Sequence, residues 1–485
     1  MHPVSISQNR IYNVATQSVQ KFDNEATVQT SAVTTPSFKG EAPIATLALR
    51  TALASKEEKN KYSELLSNLN KEDKKTLEVL LKNGILLNTN SNDKSSTLDN
   101  LHKIITDPRA DGLDPKVVLK ETVTTIANPF VITQKFGDIP QAYVKEVLKV
   151  AHKNASLSSN LLKQAQTTSA NDGMNEQTID VQHSGDCVAA SIEFNLAKKM
   201  PAEFARFAQE LTSPKVSVEK TIQLKNLANN TLDAVWLLNA FEVPYEMKDF
   251  NAAKLTLAPD KNAIMRAQIQ NSNKDALERS LVDVLMQSTF MNVGSQQTYN
   301  SLTDDRQGKF NDSNKGLIEF EKTFTESIVE DKNKISVTYQ ILDENGKLVG
   351  YETDFNTIKK HLLDSLAMGE NVIIGYTQFD EKNEVLNGHE ITIIGARQEK
   401  NGKLTFICND TDDDDPRPIE YSEDYIIPKI HHAGLPQVIV EKDVQFVDNW
   451  VDGIKAYKEA KAQKQGQTQT QAQVQPQPQN IAPKA

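Results

Sequence analysis

The pattern of apolar residues changes character at Ile335, and that change constrains the fold more than any other feature of the chain. Upstream, apolar residues recur at helical spacing. Leu77, Leu80 and Leu81 form a stripe closed by Asn83-Gly84, a helix C-terminus. Asp114-Pro115 is an N-cap followed by a first-turn proline, and Val118, Leu119, Thr122 and Ile126 follow it. Pro140 opens a third such segment with Val144, Val147, Leu148 and Ala151. Thr231 to Tyr245 reads as a helix that turns into an extended stretch. Downstream of Ile335, short apolar runs alternate with turn signals. Ile335–Leu342 and Leu348–Thr353 flank Asn345-Gly346, a hairpin signal. A helix over Phe355–Ala367 precedes Asn371–Tyr376, a run suited to a buried strand. Ile391–Arg397 and Lys403–Cys408 then flank a turn at Asn401-Gly402. Helices followed by an antiparallel sheet predict an α+β fold.

These patterns divide the 485 residues into four parts. Residues 1–42 are polar, with few aromatics, and are expected to be a disordered leader. Residues 43–167 read as a small helical domain, and 168–445 as the domain that carries the chemistry. Residues 446–485 begin with a helix over Val447–Lys464. Glutamine then occupies every odd position from Gln463 to Gln479, a tail with nothing apolar to bury. The formal charge of −11 is spread without a basic block, which argues against nucleic acid or an anionic membrane as partner. No run approaches the ~18 apolar residues of a membrane span. The N-terminus lacks the charged start and apolar stretch of a secretory signal, although a polar leader also suits a non-cleaved export signal. Two cysteines, Cys187 and Cys408, make no disulfide framework, so a cytoplasmic or other reducing compartment is expected.

Cys187 is the candidate nucleophile. The polar loop from Gln182 to Asp186 ends at it, and a helical pattern begins there, with Val188, Ile192 and Leu196 on one face. A thiol at a helix N-terminus sits among unpaired backbone N–H groups at the positive end of the dipole, which favours thiolate. Such a nucleophile needs a base, and the base an orienting group. His389 stands at the start of an apolar strand, and the hairpin through Asn401-Gly402 returns residues 409–412 towards it. Mirror pairing about the turn favours Asp410 or Asp412, while a bulge shifts the position to Asn409. Any of the three could hold the imidazole tautomer. The Gln182 amide, five residues before Cys187, could serve a developing oxyanion together with the Cys187 N–H.

Cys-Val-Ala-Ala-Ser at 187–191 resembles the Cys-Trp-Ala-x-Ser of papain-like cysteine peptidases. The upstream Gln182, the Gly388-His389 strand and the Cys408-Asn409-Asp410 strand end follow that family's order. Phe355 to Gly395 is similar to the bacterial subgroup that resembles bacteriocin-leader peptidases. The resemblance implies a nucleophile helix packed on an antiparallel sheet. It makes Cys187 the nucleophile, His389 the general base and Gln182 the oxyanion donor. The orienting group becomes Asn409 on the papain pattern or Asp410 on the bacteriocin-peptidase pattern. It covers 182–412 in order, with Val188 where the family carries tryptophan and a longer segment between Cys187 and His389.

The expected function is therefore cleavage of a peptide or isopeptide bond in a protein or peptide substrate, through an acyl-enzyme and without a cofactor. A transglutaminase or glutamine deamidase would use the same thiol–imidazole pair, and a non-catalytic papain-like interaction module would use neither. The helical region before Cys187 occupies the place of a pro-segment that covers the cleft or recruits substrate. His183 reads as a surface residue and Cys408, inside an apolar strand, as a small hydrophobe. Asp412–Asp415 lacks the spacing of a calcium loop and reads as a solvated acidic loop. His431-His432 has no cysteine or carboxylate nearby in sequence at zinc spacing, so no metal is expected there.

Overall fold

A computed structural model describes residues 49–137, 185–272, 278–307, 316–342, 348–351, 354–379, 385–413 and 415–440, with Ile11, Tyr12, Ile139, Tyr143 and Lys145 as isolated positions. The predicted Pro140 helix, apart from Tyr143 and Lys145, lies outside these residues, as do the tail helix, the glutamine-rich tail and the leader apart from Ile11–Tyr12. Among the described residues no helix is long and apolar enough to cross a membrane.

Capping chemistry starts the early helices. Ser55 and Ser96 each form a capping box, with Glu58 and Asp99, at the heads of Lys56–Asn68 and Thr97–Thr106. Asn70 caps Lys71–Lys82, which buries Leu77 and Leu80 and gives way to Asn83 and to Gly84 at φ 72°. Asp114 caps Pro115–Ala127 through the Lys116 N–H, as the Asp-Pro pair predicts. These helices share one continuous core with the Cys187 helix: Leu65, Leu77, Leu101 and Val118 belong to the same apolar cluster as Val188, Ile192 and Leu196. Asn100 Nδ2 donates to the Ala202 carbonyl at 3.1 Å and ties the Thr97–Thr106 helix to Pro201–Leu211.

The strands are all paired antiparallel. The principal sheet takes in β1 (Ile11–Tyr12), which pairs with Ala396 and Arg397. Val218–Gln223, Tyr245–Met247 and Ala252–Leu257 (β2, β3 and β4) form a separate three-stranded sheet. β5 (Lys334–Thr338) follows and pairs with the last strand of the principal sheet, so only the end of the predicted first arm, β6 (Gln340–Leu342), forms a hairpin with β7 (Leu348–Tyr351), its turn outside the described residues. After the helix Phe355–Ala367 come β8 (Val372–Phe379), β9 (Val385–Gln398), β10 (Leu404–Asn409), β11 (Ile419–Ser422) and β12 (Ile430–Pro436). The principal sheet runs β11-β10-β9-β8-β12-β5, so the last strand inserts between β8 and β5. Both faces are covered. Ile373 joins the core of the Cys187 helix, while its neighbours Val372 and Ile374 pack with Ile358, Leu362 and Leu366 of the Phe355–Ala367 helix. The mixed α+β character with antiparallel sheets is the one expected.

Candidate active site

The helix Cys187–Lys199 begins at Cys187, leaving the thiol half-buried beside a first turn whose N–H groups have no intrahelical partners. Asp186 stands in the N-cap position but makes no side-chain cap. Its carboxylate turns inward to an ion pair with Arg279, both side chains fully buried. The Tyr299 hydroxyl lies 3.0 Å from Asp186 Oδ2 and 3.0 Å from Asp304 Oδ1. Asp304 Oδ2 in turn accepts the Gly185 N–H at 3.0 Å. The loop leading into the cysteine is thus fastened from two sides by groups in the segment 279–304. The helix itself is buried all round from Val188 to Ala197, not on one face only. Two of its polar members are partnered on one atom each: Glu193 Oε2 accepts from Gln287 at 2.9 Å, and Asn195 Oδ1 accepts from Asn371 at 2.8 Å.

His389 lies in β9 opposite Tyr376 of β8, and only 4% of its surface is exposed. Its Nε2 is 2.7 Å from Asp410 Oδ1, and the Cys187 side chain hydrogen-bonds the same ring. With Nε2 committed to the carboxylate, Nδ1 is the nitrogen left for the thiol. Burial works against a charged imidazole here. The hydrogen bonds to Asp410 and Cys187, with the charges of both, outweigh it and raise the His389 pKa well above its ordinary value. Asp410 is the mirror case: burial pushes its pKa up, but His389, the Asp412 N–H and Tyr421 bring it below the usual carboxylate range.

Of the three candidates for the orienting group, Asp410 makes the contact. A bulge between Ile407 and Cys408 shifts the β9–β10 register so that Asn409 pairs with Thr392. Asn409 is buried at the strand end, and its Nδ2 has no hydrogen-bond partner among the described residues. The chain then turns, the Asp412 N–H donating to Asp410 Oδ1 at 3.0 Å while the Asp412 side chain stays exposed. Gln182 and His183 lie outside the described residues. Cys408 is fully buried in β10, where burial pushes its thiol pKa far up, as befits a small hydrophobe. Asp412 and Asp413 are exposed, and Arg417 pairs with Asp415.

Two groups of supporting residues escaped the sequence reading. Tyr421 hydrogen-bonds Asp410 and also Tyr376, whose ring centroid is 5.9 Å from that of His389. Burial holds both phenols protonated, so they serve as donors beside the carboxylate. Thr133 and Gln134 brace the Asp410 turn from the N-terminal region. The Gln134 N–H and the Thr133 hydroxyl donate to the Thr411 carbonyl at 3.0 and 3.1 Å, and the Thr411 hydroxyl donates to Gln134 Oε1 at 3.0 Å. The only signal for the tyrosines was register: Tyr376 ends the predicted strand that pairs with the histidine strand. For Thr133 and Gln134 no sequence signal exists, because the contact spans most of the chain.

In comparisons with known proteins, no family model, no curated protein and no solved structure matches the chain. What the chain defines by itself is an α+β protein in which a thiol at a helix N-terminus, an imidazole and a carboxylate from three separate elements meet.

Proposed function

We propose that this chain is a cysteine peptidase of papain-like architecture, in which Cys187 attacks a peptide or isopeptide carbonyl. The reading is carried by one observation: the His389 ring hydrogen-bonds both the Cys187 side chain and Asp410, although Cys187 is far from the other two in sequence. The raised His389 pKa favours an imidazolium beside the sulfur, the charge arrangement that activates a thiol nucleophile. In the reaction Cys187 Sγ bonds to the carbonyl carbon and His389 gives its proton to the departing amine nitrogen as the C–N bond breaks. Water, losing a proton to His389, then attacks the thioester, and the thiolate leaves with an acid as product. Asp410 holds the ring orientation through both steps. The first-turn N–H groups at Cys187 are suited to the oxyanion, and Gln182 is the proposed side-chain donor.

The test follows the products formed from an unfolded protein substrate such as carboxymethylated casein, with Cys187→Ala as control. New N-termini that depend on Cys187 are the expected result. Release of ammonia without new N-termini would instead indicate glutamine deamidation, and amine incorporation would indicate a transglutaminase. No Cys187-dependent product would favour a non-catalytic interaction module.

A further inference from the structure

Glu319, His431 and His432 come together at the principal sheet, and their ligand atoms lie within 4.8 Å of one another. The carboxylate absent from the neighbourhood of the His-His pair in sequence is supplied by the first turn of the helix Glu319–Glu330. Consecutive residues of a regular strand point to opposite faces. Here Ile430 pairs with Tyr376 and His432 with Gly375, so His431 is the extra residue of a bulge. The bulge turns both rings to one side and sets their Nδ1 atoms 2.7 Å apart. Glu319 Oε1 lies 3.5 Å from His432 Nδ1.

Two of the three ligands are also held from behind. His432 Nε2 is 2.7 Å from the carboxylate of Glu390, which Lys322 engages at 3.0 Å. Glu319 Oε2 accepts from the Thr338 hydroxyl at 2.6 Å, leaving Oε1 to face the histidines. A Cβ at position 375 would lie 2.2 Å from His432 Cε1 and 2.6 Å from Glu390 Oε1, so glycine there is what allows ring and carboxylate to meet. A carboxylate behind an imidazole is the usual support of a metal-bound histidine, because it fixes the tautomer and leaves the other nitrogen's lone pair facing the ion.

We propose that Glu319, His431 and His432 bind one divalent transition-metal ion of the zinc type, with Glu390 and Thr338 as positioning residues. Two imidazoles and one carboxylate suit such an ion. Ligand atoms around a tetrahedral zinc stand roughly 3.3 Å apart, so small rotations of the two rings complete the site. The Glu319 side chain is 35% exposed, which leaves the fourth position on the solvent side. The site does not depend on the thiol chemistry, although Glu390 follows His389 directly in β9.

The experiment uses the full chain carrying Cys187→Ala, so that the thiol cannot ligate. After chelation and dialysis it is titrated with Zn2+ by calorimetry and with Co2+ by visible absorption. One saturable site is expected, with affinity at least tenfold weaker in Glu319→Gln and in His431→Gln. At equal concentration Zn2+ should also raise the melting temperature of the parent by more than that of Glu319→Gln. No saturable site, or equal affinity in the parent and Glu319→Gln, overturns the proposal. Glu319 is partly exposed, so Glu319→Gln decides the matter even if His431→Gln does not fold.

Discussion

His389 serves two partners at once, and the consequences can be separated residue by residue. Asp410→Asn keeps the shape but removes the acceptor that fixes the imidazole. By analogy with serine triads it should lower turnover by roughly 100- to 10,000-fold. Asn409→Ala, one residue away, should leave the His389 orientation intact and change turnover by much less, and steady-state rates on one substrate compare the two. Because the folded pKa of His389 is raised, its pairing contributes stability that is fully present below the unfolded value of about 6.5. That contribution is lost as the pH rises through the folded value. The stability advantage of wild type over His389→Gln should therefore shrink as pH rises from about 6.5 upward, read from urea denaturation at a series of pH values. An advantage that grows with pH contradicts the pairing. The sequence made Cys187 legible at the boundary between a polar loop and a helix, and His389 by the apolar run that follows it, although β9 already begins at Val385 rather than at the histidine. It left Asn409, Asp410 and Asp412 open; the bulge that would have favoured Asn409 does form, yet Asn409 stays in the ladder opposite Thr392 and the turn after β10 brings Asp410 to the ring.

At the scale of elements, the start of the Cys187 helix was readable and its surroundings were not. Four-residue spacing of Val188, Ile192 and Leu196 implies one buried face. The helix is buried all round because the sheet covers one side and helices cover the others, so Glu193 Oε2 and Asn195 Oδ1 take their hydrogen bonds from the side chains of Gln287 and Asn371. The loop before it depends on buried charge. Burial and Asp304 already push the Asp186 carboxyl up to about 8, so Arg279→Met should drive it further towards the neutral acid and destabilise the fold, measured by chemical denaturation. The brace from Thr133 and Gln134 acts differently, since it bears on the turn that carries Asp410. Gln134→Ala should leave the fold in place and slow alkylation of Cys187 several-fold, because a looser Asp410 positions the imidazole less well.

At the scale of the whole molecule, the run of principal-sheet strands after Ile335 was legible from the change of period there, whereas the separate sheet of β2, β3 and β4 upstream of it, among residues read as helical, was not. The insertion of β12 between β8 and β5 was not, because register and strand order are set by packing partners that sequence spacing does not encode. The N-terminal region also acquires a new meaning. Its described helices share the core of the Cys187 helix, and its residues 133–134 hold the Asp410 turn. Deleting residues 1–137 should therefore strip a core face and yield an aggregated or unfolded product, rather than the gain of activity expected on removing an inhibitory pro-segment. Solubility and circular dichroism of the truncated chain decide between the two.

The central claim is that His389 activates Cys187. It is tested most directly by the pH dependence of iodoacetamide alkylation, located by mass spectrometry, in wild type and His389→Ala. Cys408, fully buried in β10, is the internal control. The account predicts fast labelling of Cys187 below pH 7 that collapses in His389→Ala while Cys408 stays slow in both proteins. Slow labelling of Cys187 in wild type, unchanged by the substitution, would contradict it.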